Sequence, residues 1–183
     1  MSIKIQANNS RILVVDDEPN VLRSISRLLK DYQVTSFLNG EEALAAALKM
    51  PFDLVISDYQ MPGMNGVEFL TFFKAIQPDT VRMILTAYAD LNSIQHAINE
   101  AEIFRFINKP WNPVELINAV TRGLEHKHIL MENKTLADEV RRQRLLLEQK
   151  EAILNALEAE EPGITKVKWT EDGSIIINSS NYD

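Results

Sequence analysis

At 183 residues, with 45% hydrophobic and 25% charged side chains, the chain is long enough for one globular domain plus a modest appendage and is not disordered throughout. Its formal charge of −7, from 26 acidic and 19 basic residues, would repel a phosphate backbone, so direct nucleic-acid binding is not expected. The absence of cysteine excludes disulfides, zinc–thiolate sites, iron–sulfur clusters and thiol nucleophiles. Residues 1–10 read as an N-terminal tail; Met1 to Asn9 lack the apolar core of a signal peptide. No later run approaches the roughly 18 apolar residues that a membrane span needs, so a cytoplasmic protein with no membrane association is expected.

Between Ser10 and Arg122, short apolar runs alternate with segments of helical period. The runs are Ile12-Leu13-Val14-Val15, Val34-Thr35-Ser36-Phe37, Leu54-Val55-Ile56-Ser57, Met83-Ile84-Leu85-Thr86 and Phe104-Arg105-Phe106-Ile107. Apolar residues in succession suit parallel strands covered on both faces. The intervening segments repeat apolar residues three and four apart, as in Val21, Leu22, Ile25, Leu28 and Leu29, or Val67, Leu70, Phe73 and Ile76. Pro19 after Asp16-Asp17 and Asn39-Gly40 before Glu41-Glu42 mark helix starts, while Pro51 and Pro78-Asp79 follow helix ends. Five strand–helix alternations predict a doubly wound α/β sheet with right-handed crossovers.

After Pro113 only Gly123 interrupts a helical pattern that runs to Glu161, as one long helix or two in series. Ile129, Asn133, Leu136, Val140, Gln143, Leu147, Lys150, Leu154 and Leu157 are spaced by alternating fours and threes. That is the spacing of a coiled-coil seam, against the alternatives of a solvated helix or one packed on its own domain. Asn133, at an a-type position, favours a parallel homodimer in which the two copies meet. Pro162-Gly163 ends the pattern, and Val167 to Thr170 with Ser174 to Ile177 flank Glu171-Asp172-Gly173 as a short hairpin. The expected domains are therefore 11–125, a coiled-coil helix at 126–161 and a hairpin segment at 162–183.

Ligands of open parallel sheets bind at the carboxyl ends of the strands. There the first strand delivers Asp16 and Asp17, the third Asp58, the fourth Thr86 and the fifth Lys109 followed by Pro110. Close carboxylates repel unless a cation shares them, and hard oxygen ligands suit Mg²⁺. A metal with one ammonium points to a phosphate anion, and an aspartate is a competent nucleophile toward phosphorus. Each residue alone could be a cap, a turn or a surface group. Their placement at the same end of successive strands is what coincidence rarely arranges.

Val14-Val15-Asp16-Asp17, Ser57 to Gly66, Leu85-Thr86-Ala87 and Asn108-Lys109-Pro110 together make the stretch from about Arg11 to Glu125 resemble the receiver domain of two-component response regulators. The resemblance implies a flavodoxin-like five-stranded sheet of order 2-1-3-4-5. It also implies Asp58 as phosphoacceptor, with Mg²⁺ held by Asp16, Asp17, Asp58 and the Gln60 backbone carbonyl. Thr86 and Lys109 would meet the phosphoryl oxygens, Ala87 would leave room for them, and Lys109-Pro110 would be cis. Thr86 and Phe106 would form the switch; Phe106 lacks the hydroxyl of the commoner tyrosine. Gln60 and Tyr88 fall where the family tunes dephosphorylation, and the bulk of Tyr88 implies a long-lived acyl phosphate.

So read, the chain is a phospho-accepting signalling domain and not an enzyme, apart from its own phosphorylation and dephosphorylation. Its partners would be a histidine kinase or phosphotransfer protein, a second copy and an unknown output protein. A haloacid-dehalogenase-type phosphatase would want an Asp where Gln60 stands. A dinucleotide-binding domain would want a glycine-rich loop where Asp16-Asp17-Glu18-Pro19 stands. The wording around Thr86 and Lys109-Pro110-Trp111 is similar to receivers beside cyclic-dinucleotide phosphodiesterase domains of the HD-GYP kind, so the chain could also be a fragment of a larger regulator. His96, His126 and His128 receive no role.

Overall fold

The computed structural model describes residues 9–87, 101–160 and 162. In chain order these form β1 (Arg11–Val15), α1 (Pro19–Leu28), β2 (Gln33–Phe37), α2 (Gly40–Ala47), β3 (Leu54–Asp58), α3 (Gly66–Ile76), β4 (Val81–Thr86), β5 (Arg105–Asn108) and α4 (Pro113–Glu160). The strands are parallel and lie in the order β2-β1-β3-β4-β5. This is the doubly wound sheet expected from the alternation, with its carboxyl edge carrying Asp58 and Thr86.

Alternate residues of each strand supply opposite faces, and both faces are apolar. Ile12, Val14, Leu54, Ile56, Met83, Leu85 and Ile107 pack against α1 and the first turns of α4 through Leu22, Ile25, Leu116, Ala119 and Val120. Leu13, Val15, Val55 and Ile84 pack on the other side with Ala43, Phe69, Leu70 and Phe73 of α2 and α3. Burial of each such side chain contributes roughly 1.5–3 kcal/mol before entropy is counted. The Asn39 side chain accepts from Glu42 N–H at the start of α2, and Asn65 with Glu68 forms a complete capping box at the start of α3.

Two features hold α4 to the sheet. A Cβ at Gly123 would meet Met83 Cε at 2.6 Å and Leu54 Cδ1 at 3.0 Å, so glycine sets the close approach. One turn later Lys127 Nζ donates to the Phe52 carbonyl at 3.1 Å and pairs with Asp53 Oδ1 at 2.8 Å. Asp53 Oδ2 in turn accepts from Arg11 N–H, joining β1 to the same group.

The strand edges differ from the apolar runs. β4 starts at Val81 rather than Met83 because the buried Arg82 guanidinium is hydrogen-bonded internally, to the carbonyls of Ala101, Pro78 and Thr80 and to Glu102. β5 begins at Arg105 rather than Phe104, whose half-exposed ring lies against His126 at a centroid distance of 5.1 Å. Glu102 pairs with both Arg82 and Lys74.

From Pro113 to Glu160 the helix is continuous, one element rather than two in series. The chain divides into two compact units, Met1–Glu132 and Asn133–Asp183. Within Asn133–Glu160 the side chains of Leu136, Val140, Leu147, Leu154 and Leu157 are exposed. Among the described residues no helix is long and apolar enough to cross a membrane. The predicted hairpin at 167–177, Tyr88 and His96 lie outside the described residues.

Candidate functional site

β1 ends in a run of buried valines, and the next residue, Asp16, is itself wholly buried while Asp17 is exposed. β3 ends in buried Asp58. Because β1 and β3 are neighbours in register, with Val15 opposite Ser57, their ends bring these acids together. Carboxylate oxygens of Asp16, Asp17 and Asp58 all lie within 4.8 Å of one another. Three formal charges at that separation repel strongly, and two devices offset the repulsion. Glu18 N–H donates to Asp16 Oδ1 at 2.9 Å. Lys109, 93 residues away in sequence, donates from Nζ to Asp16 Oδ2 at 2.7 Å and pairs with Asp58 Oδ1 at 2.9 Å.

The backbone aims Lys109 at this position. Its N–H donates to the Thr86 carbonyl at 2.7 Å, and the Lys109-Pro110 peptide is cis. Thr86 is buried and follows Leu85, the register partner of Asp58, so its hydroxyl-bearing residue closes the neighbouring strand. Tyr59 N–H donates to the Leu85 carbonyl at 2.8 Å, locking the turn after Asp58 to β4. Gln60 is exposed on that turn. Phe106 is half-buried opposite Ile84 and packs with the α2–α3 side of the core.

Burial raises the Asp58 carboxyl above its ordinary value of 3.8; the Lys109 ammonium opposes this and the Asp16 charge adds to it. For Lys109, burial pulls downward, but its bonds to Asp16 and Asp58 outweigh it and hold the ammonium above 10.5. A carboxyl raised in the folded state is costly to keep ionised. Without a divalent ion, Asp58→Asn is therefore expected to be more stable than the native chain at neutral pH. The difference should shrink as pH falls through the raised value and vanish below about 3.8. Paired thermal melts from pH 7 to pH 3 check this; a difference independent of pH would contradict it.

The donor set fits a hard divalent cation: carboxylates from two strand ends, one of them exposed to admit an ion that keeps its waters. Gly66 is a structural part of the site that sequence reasoning quoted in a motif without a role. Its N–H donates to the Tyr59 carbonyl at 2.9 Å, and a Cβ there would collide with the carbonyl oxygen of Asp58.

Residues 12–121 match the response regulator receiver domain family. The chain belongs to that family. The hydrogenase transcriptional regulatory protein HoxA of Cupriavidus necator is 36% identical over 115 residues, 62% of this chain and 24% of that protein. Sporulation initiation phosphotransferase F of Bacillus subtilis is 33% identical over 121 residues, 65% of this chain and 97% of that protein. Among solved structures, the signal receiver domain of an HD domain-containing protein from Pseudomonas fluorescens Pf-5 superposes with a TM-score of 0.63 at 36% identity, covering 66% of this chain and 98% of that one. The chain thus spans about a quarter of the length of the HoxA relatives it matches. Receiver domains are phospho-accepting signalling domains of two-component systems, with an acidic Mg²⁺ pocket of the kind that Asp16, Asp17 and Asp58 form.

Proposed function

We propose that residues 11–125 act as a receiver that takes a phosphoryl group onto Asp58 from a histidine kinase or phosphotransfer protein. The observation that carries this reading is the cluster of three carboxylates, two of which, Asp16 and Asp58, share the ammonium of Lys109. A carboxylate oxygen of Asp58 attacks phosphorus in line with the departing donor group, giving an acyl phosphate. Lys109, already protonated and aimed at Asp58, pairs with a phosphoryl oxygen, and the Thr86 hydroxyl donates to another. Asp16, Asp17, Asp58 and the Gln60 carbonyl would hold Mg²⁺, which when bound offsets the negative charge of the transferring group. Movement of Thr86 and Phe106 toward the site would carry the change to the surface.

The output runs through residues 126–161, as a parallel coiled-coil homodimer that recruits a partner protein. The exposed apolar seam on Asn133–Glu160 supports this, since soluble chains seldom leave such a stripe uncovered. A second reading, that the chain is part of a longer regulator with an HD-type output domain, is favoured by the Pseudomonas fluorescens receiver. An immunoblot of the native organism separates them: a band near 20.8 kDa favours recruitment, and a much larger one favours the fused output. Incubation with acetyl phosphate is expected to add one phosphoryl group in Mg²⁺ and none in excess chelator. Equal labelling under both conditions would count against the metal-assisted site.

A further inference from the structure

We propose that the Asn133–Glu160 segments assemble as a four-helix bundle of four copies: two parallel pairs laid antiparallel on each other and crossing between Leu146 and Leu147. The inference rests on the parallel pairing proposed above and extends it to a second pair.

The apolar surface is wider than a two-stranded seam. Leu136, Val140, Leu147, Leu154 and Leu157 occupy the a and d lines, but Gln143 and Lys150 break the d line. Beside that line, at successive g positions, stand Leu146 and Ile153, which are 51% and 60% exposed. They are as open as the seam residues Leu147 and Leu154, at 59% and 51%. A helix whose apolar a line is flanked by Leu146 and Ile153 at g has apolar surface for more than one neighbour, whereas a two-stranded coil covers only a and d. Leucine rather than a β-branched residue at 147 and 154 also departs from the two-stranded preference.

The occupant is identified by the symmetry of the segment. About the point between Leu146 and Leu147, an antiparallel neighbour brings Leu146 level with Leu147, Val140 level with Ile153 and Leu136 level with Leu157. Lys150 then lies level with Gln143, a side-chain amide that can accept its hydrogen bond. In an isolated parallel pair Lys150 would face Lys150, a like-charge contact. The same centre sets Asn133 level with Glu160, so the overlap spans the helix from the start of its unit to its last residue. Within each parallel pair, Glu139 at g and Arg144 at the following e position of the partner copy have opposite charge. Leu154 falls level with Glu139, so a second pair of the same chain matches this face in three apolar layers and one polar one.

The test is the mass of the full chain by sedimentation equilibrium, where one copy is 20.8 kDa. The native chain should sediment as four copies. Leu146→Asp combined with Ile153→Asp should leave two, and Leu147→Asp should leave one, with the cooperative urea unfolding of the receiver retained because all three positions lie outside the unit Met1–Glu132. A two-copy native chain unaffected by the double substitution would overturn the bundle and leave the pair standing. A one-copy native chain would overturn both. Orientation has its own readout, because the chain contains no cysteine. Oxidation of a chain carrying Leu136→Cys and Leu157→Cys should give links from position 136 to position 157 beside the 136–136 and 157–157 links of the parallel pairs; the absence of any 136–157 link would overturn the antiparallel arrangement.

Discussion

Gly66→Ala is expected to destabilise the receiver by about 3 kcal/mol or more and to abolish acceptance of phosphate. A methyl group at this position collides with the carbonyl of Asp58 and comes within 3.1 Å of Ser57 Oγ. Neither neighbour is the free end of a flexible side chain. The first is backbone at the end of a central strand, and Ser57 Oγ is already held by its hydrogen bond to the Asp58 carbonyl at 2.9 Å. Relief must come from moving α3 outward or from shifting the end of β3, which is where the proposed acceptor sits. The gain in helix propensity from glycine to alanine, about 1 kcal/mol, does not offset overpacking of this kind. Urea denaturation gives the loss of stability, and labelling with acetyl phosphate gives the loss of function. An unchanged midpoint with normal labelling would show that the turn from Tyr59 to Asn65 yields freely.

Lys109→Met should have the second large effect, and its size should depend on both metal and pH. Removal of the ammonium leaves the buried carboxylates of Asp16 and Asp58 facing each other with no cation between them. Breaking a fully buried pair costs about 3–5 kcal/mol; the partial exposure of Lys109 reduces this to about 2–3 kcal/mol for the metal-free protein at neutral pH. Burial already holds Asp58 above its ordinary range, and losing the Lys109 interactions that oppose this pushes it further up. The cost of keeping Asp58 ionised is thus largest at neutral pH and declines as pH falls through its raised value. Mg²⁺ should recover more stability in Lys109→Met than in the native chain, because the ion replaces the missing positive charge. Urea melts at pH 7 and pH 5, with and without Mg²⁺, check both dependences. Equal losses under all four conditions would contradict the electrostatic account.

The apolar runs made four strand positions legible, most plainly β1 and β3, where consecutive buried apolar residues mark strands covered on both faces. β4 was legible only from Met83 onward. Arg82 hides the start of that strand because its burial depends on carbonyls of Pro78, Thr80 and Ala101, which no local pattern reveals. The candidate site was legible as a set of acids, a hydroxyl and a lysine at strand ends. Its internal wiring was not. The bonds from Lys109 to Asp16 and Asp58 join residues far apart in sequence, and they follow from strand order and register rather than spacing. Gly66 belongs to the same class: its necessity is a clearance to the Asp58 carbonyl that exists only once α3 has packed against β3. The seam on α4 was visible as a period of alternating threes and fours. Its third line, Leu146 and Ile153, emerges when the exposure of each side chain is set beside that period.

The most direct test of the proposed receiver chemistry is the intact mass of the native chain and of Asp58→Asn after incubation with acetyl phosphate and Mg²⁺. Asp58→Asn keeps the shape of the side chain and removes the nucleophilic carboxylate while leaving Asp16, Asp17, Thr86 and Lys109 in place. The native chain should gain one phosphoryl group, released by hydroxylamine as an acyl phosphate is, and Asp58→Asn should gain none. A phosphoryl adduct of equal yield on both proteins would contradict the assignment of Asp58.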